Sequence, residues 1–93
     1  MIKSFADKDT EKLWTAGRSR RIPADIQQRA IDKLQLLDAA VELDFLKLPP
    51  RNRLEALKGD RKGRHSIRIN DQWHICFRWT ESDAEEVEIV DYH

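Results

Sequence analysis

The chain holds one cysteine, three glycines and three prolines in 93 residues. A single cysteine, Cys76, cannot form an internal disulfide, which excludes a disulfide scaffold and points to a reducing compartment. No apolar run approaches membrane-spanning length, and the first residues lack a signal-peptide core, so the expected location is the cytoplasm, away from any membrane. Charged residues reach 37% against 40% apolar, which is polar for a folded domain. Trp14, Trp73, Trp79 and the three phenylalanines still supply bulk for one modest core, so disorder is not expected. At this length the expectation is one domain over 1–93.

Net charge is also absent: 17 basic residues balance 17 acidic ones. Taken alone, that argues against a polyanion partner. The distribution argues the other way. Arg51, Arg53, Lys58, Arg61, Lys62, Arg64 and Arg68 share a stretch with only Glu55 and Asp60. Residues 80–93 carry six acids and no lysine or arginine. A basic block of this kind is either an electrostatic footprint for phosphate or a solvated surface, and composition leaves both open.

What is present is periodic. "MIKSF" is compatible with a short strand. "DKDTEKLWTAG" predicts a helix capped by Asp7 or Asp9 and stopped by Gly17. "SRRIPADIQQRAIDKLQLLDAAVELDFL" predicts the strongest helix, with Pro23 in its first turn and an apolar stripe of Ile26, Ala30, Leu34, Leu37 and Val41. Between the two helices, Arg18, Arg20 and Arg21 form a basic linker that either contacts a polyanion or is merely solvated. Pro49-Pro50 ends the helical region, and Gly59 and Gly63 mark a turn. "HSIRIN" then alternates. "WHICFRW" puts Trp73, Ile75, Phe77 and Trp79 on one side and His74, Cys76 and Arg78 on the other. "DQ" and "ESDAE" read as turns, and "VEIVDYH" as the last strand. The order predicts two helices on one face of a twisted antiparallel sheet. The opposite face then presents Arg68, His74, Cys76, Arg78 and Tyr92.

The types of residue on that second face limit the chemistry. "KGDRKGR" has glycines but not the spacing or the following helix of a P-loop. His65, His74 and His93 lack the paired spacing of a metal site. Cys76 lies mid-strand, where thiols are usually inert. His65 shares a phase with Ile67 and reads as packing or an RNA contact. RNA cleavage asks for less. The ribose 2′-OH is a built-in nucleophile beside its own phosphate. The protein needs a base for that proton, an acid for the departing 5′-oxygen and cations around the developing charge, with no metal or cofactor.

"MIKSF", "LDAA", "LKGDRKG", "HSIRINDQW" and the closing "DYH" together resemble the HigB branch of the RelE/HigB toxin superfamily, over essentially the whole chain. The resemblance implies an α+β, RelE-like fold with two N-terminal helices on one face of a mainly antiparallel sheet of about four to five strands. It implies a type II toxin that enters the ribosomal A site and cuts mRNA there. It also implies neutralisation by a helix-turn-helix HigA-like antitoxin, with operator DNA contacted only through that partner. Asp91, Tyr92 and His93 match the family's terminal catalytic cluster. Lys58, Arg61, Lys62 and Arg64 match residues that hold RNA backbone, and Arg68 and Arg78 add charge on the face of His74.

Two positions depart from the family pattern. Glu55-Ala56 stands where a family member has a catalytic His-Pro pair. His74 follows Trp73 where an arginine is usual. The expectation is His93 as general acid or base, Asp91 orienting it or sharing its proton, and Tyr92 stacking on or contacting a base of the RNA, with His74 and Glu55 as further candidates. A non-catalytic module of the same fold, binding RNA or antitoxin, is the alternative.

Overall fold

The computed structural model describes residues 1–48, 52–59 and 63–91. Helix α1 spans Lys8–Ala16 and α2 spans Ala24–Ala39; a 3-10 turn follows at Leu43–Lys47. Strands β1 (Glu55–Ala56), β2 (Arg64–Arg68), β3 (Trp73–Thr80) and β4 (Asp83–Asp91) form one antiparallel sheet in sequence order. The N-terminal segment lies parallel to β4 through bridges from Ile2 to Ala84 and from Phe5 to Val87, so β4 is covered on both edges.

Capping residues start and stop α1 as the sequence predicts. The Asp7 carboxylate accepts from the Thr10 backbone N–H at 2.6 Å and from the Thr10 hydroxyl at 3.1 Å. Thr10 Oγ1 in turn accepts from the backbone N–H of Ile89 at 3.0 Å, which ties the first helical turn to the far half of β4. Gly17 closes the helix in the left-handed region at φ 81°, a conformation only glycine adopts without strain, and its N–H donates to Leu13 O.

The second helix is shorter than its apolar stripe suggests. Ile26, Ala30, Leu34 and Leu37 are buried, but Val41 is 70% exposed, outside the helix. Pro23 is the N-cap, one residue ahead of the first turn. Sixteen helical residues already extend about 24 Å, close to the molecule's shorter dimensions of 27 and 26 Å. A longer helix would carry its stripe past the sheet. Instead the chain turns at Ala40, and Ala40 and Leu46 return to the core. Buried Asn52 fixes this turn: its Nδ2 donates to Leu46 O at 3.2 Å, and its Oδ1 accepts from Lys33 Nζ.

The core lies between the helices and one sheet face. Leu13, Ile26, Leu34 and Leu37 meet Ile67, Ile75, Phe77, Val87 and Ile89. Strand β4 begins earlier than "VEIVDYH" suggests, at Asp83, after a two-residue turn with Glu81 at φ 56°. A β-bulge explains why alternation hides its start. Cys76 pairs with Glu88 and Arg78 with Glu85, so Phe77 faces both Glu86 and Val87, with Glu86 at φ 52°. The extra residue shifts the phase, and Ala84 and Val87 both reach the core despite odd spacing.

Two half-buried histidines, His65 and His74, give stability a pH dependence. Burial pushes the His65 and His74 imidazoles below their ordinary value of 6.5. The unfolded chain therefore binds more protons than the folded one once the pH falls below 6.5, and stability declines there. The melting temperature is expected to fall between about pH 7.5 and about pH 5.5, and the double variant His65→Leu/His74→Gln to show a shallower fall. Equal slopes in calorimetry for the two proteins would contradict this.

Candidate active site

Pairing register places the site on the sheet face away from the helices. Directly opposed residues of an antiparallel sheet share a face. One row there runs Glu55, Ser66, Cys76, Glu88. A second runs Arg68, His74, Val90, and a third Arg64, Arg78, Glu85. Ser66 and Cys76 are 1% and 0% exposed although no helix covers this face. These two small residues lie between rows of longer side chains and form the floor. Burial of the Cys76 thiol agrees with an inert cysteine.

His74 is the centre of the arrangement. Burial is the largest influence on its imidazole and lowers its proton affinity; the hydrogen bond with the Gln72 backbone and the charge of Glu55 oppose it, and Arg68 adds to it. The ring is therefore neutral at neutral pH and suited to accept a proton. Glu55 and Arg68 act on that charge from β1 and β2, so register gathers Glu55, Arg68 and His74 from three strands. Strand β1 is only two residues long, too short to read as a strand from the sequence. Its Glu55 is the residue that the sequence resemblance sets against the histidine of one family member.

The arginines are less free than a basic face implies. Arg78 bonds Glu85 at 2.7 Å and lies 3.5 Å from Glu86, and Arg64 lies 3.1 Å from Glu86. Hydrogen bonds from Arg78 and then Thr80 hold the Glu85 carboxyl below its ordinary range. The bulge that turns Glu86 toward β3 brings this acid within reach of both arginines. Arg68 pairs with Asp71 and borders a groove of about 750 Å³ that also includes Arg29, Lys33 and Arg53. Lys58 is exposed just beyond β1.

Asp91 does not join the row of His74. Its register partner is Trp73, one step out of phase, and its carboxylate accepts from Gln72 Nε2 at 2.9 Å. Arg61, Lys62, Tyr92 and His93 lie outside the described residues. His65 falls on the helix side, its ring stacked on Phe77 at 6.2 Å, which fits the packing role.

Residues 3–93 match the family described as RelE-like toxin of type II toxin-antitoxin system HigB. The chain belongs to this HigB family. It is 40% identical to Toxin HigB-1 of Vibrio cholerae over 85 residues, with 90% of each chain covered. It is 38% identical to Endoribonuclease HigB of Proteus vulgaris over 93 residues, with both chains fully covered. In structure it is similar to a YafQ variant from E. coli, with TM-score 0.64 and 15% identity over 98% of this chain and 91% of that one. It is also similar to the YoeB/ParE toxin from Agrobacterium tumefaciens, with TM-score 0.58 and 18% identity over 99% and 98%. These last two likenesses concern the fold, which is the RelE fold expected from the sequence. HigB membership makes this chain the toxin half of a toxin–antitoxin pair.

Proposed function

We propose that this HigB chain is a cytoplasmic, ribosome-dependent endoribonuclease that cuts mRNA in the A site without a metal, and that a HigA-like antitoxin neutralises it. The observation that carries the reading is that strand register puts His74, whose proton affinity burial lowers, on one sheet face with Glu55 and Arg68. The name Endoribonuclease HigB of the Proteus vulgaris relative supports it.

The step is transesterification. His74 takes the 2′-OH proton, and the 2′-oxygen attacks the adjacent phosphorus. The P–O5′ bond breaks, and a protonated group returns a proton to the 5′-oxygen, leaving a 2′,3′-cyclic phosphate. His93 is that acid, Asp91 orients it, and Tyr92 stacks on a base. Glu55 stabilises the imidazolium that forms on His74. Arg68 faces the developing phosphorane charge, while Lys58, Arg61, Lys62, Arg64 and Arg78 hold the strand on either side.

Brief induction followed by primer extension tests this. New mRNA ends in phase with the reading frame are expected for the wild type and not for His74→Gln. The ion pairs of Arg64 and Arg78 favour one other reading, a binding module without cleavage. That module would leave ribosomes occupied and no new ends.

A further inference from the structure

Strand β1 carries Glu55 into the site, yet its own register is weakly set. It has two residues and lies at the edge of the sheet. Residues 57–63 separate it from β2, too many for a tight hairpin turn to fix the pairing. Glu55 pairs with Ser66 and Ala56 with His65, and the Leu57 N–H extends the ladder by donating to Arg64 O at 2.9 Å. A slip of one residue would carry Glu55 to the helix side, away from His74. The register therefore needs an anchor outside the strand.

Asn52 lies just upstream of β1 and is fully buried although its side chain is polar. Its Nδ2 donates to Leu46 O at 3.2 Å in the 3-10 turn, and its Oδ1 accepts from Lys33 Nζ on α2. These bonds join residue 52 to the helical layer from two directions, and a buried amide is costly to leave without them. Between this residue and the strand, Arg53 adopts φ 45°, in the left-handed region that a non-glycine residue enters only when its surroundings impose it. Leu54 then packs half-buried against the core. With residue 52 pinned, Arg53 turned and Leu54 packed, the phase in which Glu55 meets Ser66 is selected.

We infer that Asn52 is a positioning residue: its buried hydrogen bonds set the register of β1 and so keep Glu55 on the face of His74. The inference rests on the proposed function only for what Glu55 does there. The test follows the imidazole nitrogen signals of His74 by NMR, in the whole chain, across a pH titration. The charge of Glu55 raises the proton affinity of His74, so Glu55→Gln is expected to lower the midpoint. In Asn52→Ala that shift is expected to be lost, so that adding Glu55→Gln moves the midpoint no further. Ile26→Ala, a core loss on α2 away from β1, is expected to keep the shift, which separates register from general loosening. Should Asn52→Ala not fold, Lys33→Met removes the donor to Oδ1, keeps the Leu46 bond, and is expected to diminish the shift. In single-turnover cutting on programmed ribosomes, Asn52→Ala should be as slow as Glu55→Gln at unchanged half-saturation, and the double variant no slower. A full Glu55 shift in Asn52→Ala, or in Lys33→Met where that variant replaces it, overturns the proposal. So does loss of the shift in Ile26→Ala, or its absence from the wild type. The titration needs no RNA. Normal cutting by Glu55→Gln, with the shift present in the wild type and lost in Asn52→Ala, would count against the proposed reaction and support the positioning role.

Discussion

Alanine at position 93 is expected to lower mRNA cutting by about 10²–10⁴-fold, the usual contribution of one acid–base group, and to abolish growth inhibition. The expectation follows from the placement of the other two histidines. His65 is on the helix side, stacked on Phe77, and cannot reach RNA on the opposite face. His74 is on the correct face, but partial burial lowers its proton affinity, which suits it to take a proton rather than to hold one for release. Departure of the 5′-oxygen still needs an acid, and His93 is the remaining imidazole.

The two histidines would then act in sequence on one substrate, and their losses would not add. His74→Gln/His93→Ala should be little slower than either single variant. Wild-type cutting should decline on the acid side as His74 takes up its proton, and His74→Gln should lack that decline. Single-turnover cleavage on programmed ribosomes measures all three. Wild-type rates in His93→Ala, with the protein folded, would remove the acid from this position.

The largest expected stability effect is at Phe77. Phe77→Ala should cost about 3–5 kcal/mol, and total stability at this length is of the order of 5–14 kcal/mol. The side chain is fully buried. It stacks on His65 and meets Trp79 edge-on with centroids 6.4 Å apart at 74°. It also fills the space opposite the Glu86–Val87 bulge, so its loss opens a cavity where the sheet is least regular. Urea unfolding should show a much lower midpoint. Val41→Ala, at an exposed site, should change stability by less than about 0.5 kcal/mol. A Phe77→Ala cost no larger than that of Val41→Ala would mean that the core does not depend on this ring.

Much of the architecture is legible in local pattern. The stripe from Ile26 to Leu37 and the alternation of "WHICFRW" repeat at the periods of a helix and a strand, and a buried face needs little else. The caps at Asp7 and Gly17 are short-range chemistry and equally readable. What escapes are features whose cause lies elsewhere in the chain. The turn at Ala40 comes from the size of the sheet below α2. The early start of β4 is masked by the bulge at Glu86. Strand β1 exists because β2 offers an edge, and its two residues carry no pattern of their own.

The site divides in the same way. Sequence by itself determined the HigB kinship, the basic stretch, and the face shared by Arg68, His74 and Arg78, since these depend on residue identity and a period of two. Only tertiary structure decided the charge states and partnerships on that face. It brought Glu55 to His74 across two strands, paired Arg64 and Arg78 with the acids of β4, and put Asp91 out of phase with the imidazole. The reason is that electrostatic interaction depends on distance and burial. Both are set by strand register, and register becomes fixed only when the whole sheet packs against the helices.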